Sequence, residues 1–429
     1  MKKIKHVISF LVFTVLLAAA ILWCADVVEY KDARKKYTAF YKSDTNFDVL
    51  LLGTSHMWNH VLPMELWRDS GLSSYNWGYA NCTPAETWYL LPDILKFTSP
   101  RVIVLDAFGI KHYDRYGNGK YRTDRIEQQH VQFDSLPFSM NKVKAARDVF
   151  DDYPDNADFI WNFIMYHNRW SSLSEEDFAY SLSTEKGSNF RTGLGTVSPA
   201  LIPEDQKTEI SSVCLPYFLN IISYCEKRDI PVLCLYIPFA AGEQDQRIAN
   251  TVPDLLEGFK NCTYVNLMHE GIVDFETDTS PDNTHLNYSG ALKVTEWLGE
   301  YLSRNYTLDN YAGNASWKAD YEKYLAFKEE TLLGLGSLPE YLVQLRDSDL
   351  SAEAVIYDEN LFSSARLMHL FDNAGITPAA APPPEGTNCC AALTIRETGS
   401  GRLLEEASFS CADTQNLDIM KIKKDTAAS

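Results

Sequence analysis

Short apolar runs of nearly constant length constrain this chain most. Phe47-Asp48-Val49-Leu50-Leu51-Leu52 stops at Gly53, and comparable runs occupy 101–105, 230–237 and 263–267. None alternates between polar and apolar, so each predicts a strand buried on both faces, the mark of a parallel sheet. The stretches between them have helical character. Pro63 and Gly71 bracket a helix over 64–69, and Ile210, Val213, Cys214, Tyr217, Ile221 and Tyr224 stripe a helix over 207–227. Strands alternating with helices specify the α/β class.

Residues 7–25 carry no charge and follow Lys2, Lys3 and Lys5. Nineteen residues at about 1.5 Å each nearly match a hydrocarbon core of about 30 Å. The lysines favour the cytoplasmic side, which leaves the rest of the chain outside the cell membrane. A cleaved signal peptide usually has a shorter apolar core, and here Ala18-Ala19-Ala20 falls in mid-stretch. Trp23 is too bulky for the residue before a lipidated Cys24. We therefore expect a retained single-pass anchor over 1–26, then a polar helical stalk over 27–46.

Beyond the 47–305 domain, 306–342 reads as a linker and a helix that Gly334 and Gly336 close. Residues 343–429 form a small C-terminal domain with strand-like runs at 354–357 and 391–395, split by a proline-rich loop over 378–386. The tract 110–205, rich in Tyr, Asp, Asn and His, shows no strand rhythm and reads as an insertion. Charge matters for partners: 39 basic against 58 acidic residues give −19, with no basic stripe, so nucleic acid is excluded as a partner. Nine cysteines are too irregular for a disulfide framework. Cys214, Cys225 and Cys234 read as buried thiols, and Cys389 or Cys390 could bridge to Cys411 in an oxidising compartment. Sequons at Asn81, Asn261, Asn287, Asn305 and Asn314 matter only in a eukaryotic secretory pathway.

Two segments can carry chemistry. Gly53-Thr54-Ser55-His56 follows the first strand, where ligands of such sheets bind. A tight turn there would raise the Ser55 hydroxyl above the sheet edge, although Ser55 as a simple helix cap is the plainer reading. Ser280-Pro281-Asp282-Asn283-Thr284-His285 precedes a helical run over 288–302. A carboxylate three residues before a histidine can fix its tautomer and free the other ring nitrogen for a serine proton. Alone, Asp282 could be a cap and His285 a surface residue. His56 adjoins Ser55 on a turn and is expected to point away, lining the pocket or packing. His56, His60 and His112 lack a metal-ligand spacing, so no metal and no cofactor is expected.

With Gly-x-Ser after the first strand and Asp-x-x-His near the end of the domain, the chain resembles the SGNH/GDSL hydrolase superfamily over 47–302. The resemblance implies a flavodoxin-like three-layer α/β/α sandwich, with Ser55 as nucleophile, His285 as general base and acid, and Asp282 as its orienting carboxylate. Asn76-Trp77-Gly78-Tyr79-Ala80-Asn81 falls at the second block, which implies oxyanion donors at the Ser55 and Gly78 amides. The third block departs from the usual Gly-x-Asn-Asp, reading Leu105-Asp106-Ala107-Phe108-Gly109, and Asn81 is the candidate substitute donor. With its anchor, the chain looks like the membrane-anchored DltD and alginate-acetylation branch, which works beside membrane-bound O-acyltransferases on cell-wall or secreted polysaccharides. That implies an acylated glycan or acyl donor as substrate and a membrane acyltransferase as partner. A weakened glycan-binding or assembly subunit is the alternative. Tyr166-His167-Asn168-Arg169-Trp170 resembles the same branch, with His167 and Arg169 as possible substrate contacts, and 339–411 faintly resembles an interleukin-like EMT-inducer β-sandwich.

Overall fold

The computed structural model describes residues 2–111, 130, 133–149, 157–411 and 418–425. Five strands, β1 (Val49–Leu52), β2 (Ser74–Asn76), β3 (Val102–Asp106), β4 (Val232–Tyr236) and β5 (Cys262–Asn266), form one parallel sheet in the order β2-β1-β3-β4-β5. That is the flavodoxin-like order, with its switch point between β1 and β3. Successive side chains of each strand enter different layers. Val49, Leu51, Val102, Val104, Leu233 and Leu235 pack on one face, while Leu50, Leu52, Ile103, Leu105 and Cys234 pack on the other. The three-layer α/β sandwich is therefore as expected.

Among the described residues, the helices of six residues or more, in chain order, are α1 (Lys2–Val28), α2 (Asp32–Tyr41), α3 (Ser55–His60), α4 (Pro63–Ser70), α5 (Pro84–Ile94), α6 (Met140–Val149), α7 (Leu215–Glu226), α8 (Glu243–Leu256), α9 (Tyr288–Asn305), α10 (Ala315–Leu333), α11 (Leu338–Gln344) and α12 (Ala365–Asn373). Helix α7 starts later than its apolar stripe predicts. Pro216 stands in its first turn, where a missing N–H costs no hydrogen bond, and 207–214 stay outside the helix. Helix α1 is long and apolar enough to cross a membrane, a test that a signal sequence near an N-terminus also meets.

The expected stalk over 27–46 is not a free spacer. Ala33, Lys36, Tyr37 and Phe40 of α2 are buried, and Phe40 packs on Phe47, Tyr75 and Trp77. Polar residues misled the reading because α2 exposes one face only. Arg169 is likewise not free to face substrate: it donates to Val28 O, stacks 3.9 Å from the Tyr30 ring centre and pairs with Asp177. His167 is exposed and holds Ile164 O at 2.6 Å.

The C-terminal region carries a second sheet, β6 (Leu350–Ile356), β7 (Ala379–Ala380), β8 (Cys389–Glu397), β9 (Leu403–Ser410) and β10 (Lys423–Lys424), in the order β10-β9-β8-β6-β7. A Cys390–Cys411 disulfide ties β8 to the end of β9, and Cys389 stays free. A buried ionic cluster joins this region to the first domain. Lys328 on α10 meets Glu65 at 3.1 Å, Asp347 at 2.6 Å and Asp349 at 2.6 Å, while Arg68 holds Glu65 and Tyr288 donates to Asp347. These three carboxylates lie close enough together to hold a metal ion, but the Lys328 ammonium already supplies the cation.

Candidate active site

The site forms at the switch point, from the turn after β1, the end of β3 and the turn before α9. Strand β1 ends at Gly53, where an added Cβ would lie 2.4 Å from Asp106 Cβ, so only glycine allows the chain to turn this closely past β3. Thr54, not Ser55, caps α3: its Oγ1 accepts from His56 N at 3.2 Å. Ser55 therefore opens the helix with its hydroxyl uncommitted to capping, and its amide belongs to the first turn, which has no intrahelical acceptor.

Asp106, at the departed third block, holds this turn from the neighbouring strand. Its Oδ2 accepts from Thr54 N at 3.2 Å and from Thr54 Oγ1 at 2.6 Å, and its Oδ1 accepts from Phe108 N at 2.9 Å. Burial raises its pKa against these three hydrogen bonds.

The 279–286 segment closes on itself through a Thr279 to Leu286 bridge and a Ser280 N to His285 O bond of 2.9 Å, with Asn283 at φ 57° in the bend. His285 Nδ1 lies 2.8 Å from Asp282 Oδ2, and His285 Nε2 lies 2.8 Å from Ser55 Oγ. Asp282 Oδ1 also accepts from Ser280 Oγ, Thr284 N and His285 N. Burial would raise the Asp282 pKa, but these hydrogen bonds, led by the one from His285, hold it well below the usual carboxylate range. An ionised Asp282 with Nδ1–H leaves Nε2 as the acceptor for the Ser55 hydroxyl. The three residues singled out in the sequence thus form one hydrogen-bonded chain.

His60 and the end of the insertion fix this geometry in roles that the sequence reading did not assign them. His60 Nε2 accepts from Leu286 N at 2.9 Å and so anchors the backbone just after His285. Burial, with His285 adding to it, pushes the His60 pKa well down, so the ring stays neutral and able to accept. The end of the insertion straps the same loop: Gly195 N donates to Thr279 O at 2.7 Å, Tyr288 N to Arg191 O at 2.8 Å, and Arg191 stands 3.6 Å from Asp282. The i,i+4 spacing of His56 and His60 on α3 was a readable signal, whereas the strap had none.

His56 is not a rival base. Its ring is buried against Phe108 and Phe239, at 3.8 and 4.5 Å between ring centres, and desolvation holds it neutral. His112 lies outside the described residues. Gly78 departs from expectation, because its amide donates to Asn76 Oδ1 at 2.9 Å while Asn76 Nδ2 is held by Met57 O and Val61 O. The Gly78 donor is thus already engaged by a short, well-anchored partner. Asn81 occupies a left-handed turn position at φ 56° between β2 and α5.

No family model and no curated protein matches this chain. Among solved structures, a candidate platelet activating factor from Streptococcus pneumonia is similar at 12% identity and a TM-score of 0.34, over 68% of this chain and 98% of that one. A family 3 carbohydrate esterase from Clostridium thermocellum is similar at 12% identity and a TM-score of 0.31, over 61% and 96%. At such TM-scores the fold assignment rests on the strand order and not on these likenesses.

Proposed function

We propose that the chain is a serine ester hydrolase or O-acyltransferase of the SGNH type, held at a membrane by α1, that works through an acyl-enzyme on Ser55. The observation that carries this reading is the unbroken Ser55 to His285 to Asp282 hydrogen-bond chain at the switch point of a parallel sheet. Ser55 Oγ attacks an ester carbonyl carbon as its proton passes to His285 Nε2. The tetrahedral intermediate then expels the alcohol, which takes that proton, and leaves the acyl group on Ser55. Water or a sugar hydroxyl reverses the sequence, giving hydrolysis or transfer.

The substrate we propose is an acylated cell-surface or secreted glycan or its acyl donor, with a membrane-bound O-acyltransferase as partner. The resemblance at the first and last blocks and the apolar α1 support it. For the oxyanion, the Ser55 amide at the start of α3 is the donor best supported, and Asn81 remains a proposed second.

Two observations favour the second reading, a glycan-binding or assembly subunit with weakened catalysis: the Gly78 amide is engaged by Asn76, and the third block has no Asn. Intact mass of the detergent-solubilised full chain after a fluorophosphonate separates the two. A single adduct that disappears in Ser55→Ala and in His285→Ala supports the enzyme. A folded protein that takes no adduct overturns it.

A further inference from the structure

We infer that residues 157–182 form an aromatic collar that seats the folded domain on the bilayer surface around the exit of α1. The inference rests on the anchor reading of α1 and goes beyond it, because an anchor alone requires no contact between the domain and lipid.

The uncovered part of α1 is its apolar body, while Ala25, Val27 and Val28 at its end are buried. Short helices at Phe163–Tyr166 and Glu175–Phe178 pack against α1. Polar contacts lock the join: Asn162 donates to Glu29 at 2.6 Å, Arg169 holds Val28 O, and Tyr30 meets Tyr166 edge-on at 5.5 Å. The end of α1 is therefore welded to this segment and cannot act as a loose tether.

The same segment leaves large apolar side chains in the open. Trp161, Ile164, Trp170 and Phe178 are between 41% and 60% exposed, although each is within a few residues of a contact to the α1 end. Exposed tryptophans beside the mouth of a membrane-length helix are the composition of an interfacial belt, where an amphipathic ring rests at headgroup level. Much of the negative charge beside it is paired, since Glu29, Glu176 and Asp177 meet Arg34, Lys35 and Arg169 respectively, while Glu175 stays exposed. A bilayer occupies this surface more naturally than a protein does, because α1 continues directly from it into the span.

The test uses the full chain reconstituted in phosphatidylcholine vesicles, with and without bromine on the acyl chains near the headgroup, and reads quenching of tryptophan emission. Wild type is compared with W161F/W170F, which keeps aromatic rings at the collar, and with W23F, which reports the anchor alone. We expect bromolipid quenching to fall measurably in both variants. Loss in W23F with none in W161F/W170F overturns the collar while leaving the anchor intact, and assigns the surface to a protein partner. No change in either variant overturns the anchor reading and the collar with it.

Discussion

Thr54 Oγ1 donates to Asp106 Oδ2 at 2.6 Å, which ties the turn before the nucleophile to the end of the neighbouring strand. Asp106 stands where the superfamily resembled here carries its third block, and in this chain the position is used to brace the nucleophile turn from behind. Asp106→Ala would leave Thr54 N, Thr54 Oγ1 and Phe108 N without their acceptor. Each unpaired buried donor costs roughly 1–3 kcal/mol. We expect a lower unfolding midpoint and a fall in the rate of Ser55 labelling by fluorophosphonate. An unchanged labelling rate in the folded variant would remove the bracing role.

Asp282→Asn should leave the fold intact and cut turnover of an activated ester by about 10²- to 10⁴-fold, because an amide cannot hold the imidazole in the same tautomer or stabilise its charge. The Asp282 carboxylate is held below its usual pKa. The stability it contributes is then fully present above the unfolded value of about 3.9 and is lost only as pH falls through the lower folded value. Wild type and Asp282→Asn should therefore differ least in unfolding midpoint at the acid extreme, which a thermal melt series in pH checks.

Gly78→Ala tests the closest approach in the second block. A Cβ there would lie 2.7 Å from Trp58 N, 2.9 Å from Met57 Cβ and 2.9 Å from Thr54 O. Since two of these are backbone atoms of the turn and helix around Ser55, relief of the clash must move that turn. Labelling of Ser55 should be lost or slowed at least tenfold, even where circular dichroism reports a native helix content.

Lys328→Met should be among the more damaging single changes outside the site. Lys328 is buried and shares Glu65, Asp347 and Asp349 with Arg68, so its removal leaves three carboxylates to the Arg68 guanidinium alone, at a cost of up to about 3–5 kcal/mol. Chemical denaturation of the variant should show a clearly lower midpoint. A midpoint equal to that of wild type would mean that the cluster does not join the C-terminal region to α4.

Glu86 predicts a pH slope of opposite sign to that of Asp282. Burial pushes its carboxyl up to about 7, against hydrogen bonds from Thr83 that lower it. Between about pH 4.5 and 7 the unfolded chain releases this proton before the folded one, so stability from this group declines as pH rises. Glu86→Gln keeps an acceptor for Thr83 and should flatten that decline, gaining up to about 3 kcal/mol relative to wild type at pH 8. Melts at pH 5 and pH 8 compare the two.

What the sequence determined alone is whatever depends on neighbours along the chain. Uninterrupted apolar runs located β1, β3 and β4, because a strand buried on both faces needs no distant partner to show its composition; the run at 263–267 located β5 too, but β5 is an edge strand and is only half-buried. Asp282 and His285 were legible as a pair, since three residues within one turn suffice to bring carboxylate and imidazole together. Tertiary structure alone decided which atoms those groups meet. Ser55 and His285 are 230 residues apart, and only the parallel strand order and the docking of α9 bring Oγ to Nε2. The same holds where expectation failed. The direction of the Gly78 amide, the bracing by Asp106 and the burial of α2 each depend on which surfaces meet, and a hydrogen bond or a buried face between distant segments leaves no periodicity in either segment to be read.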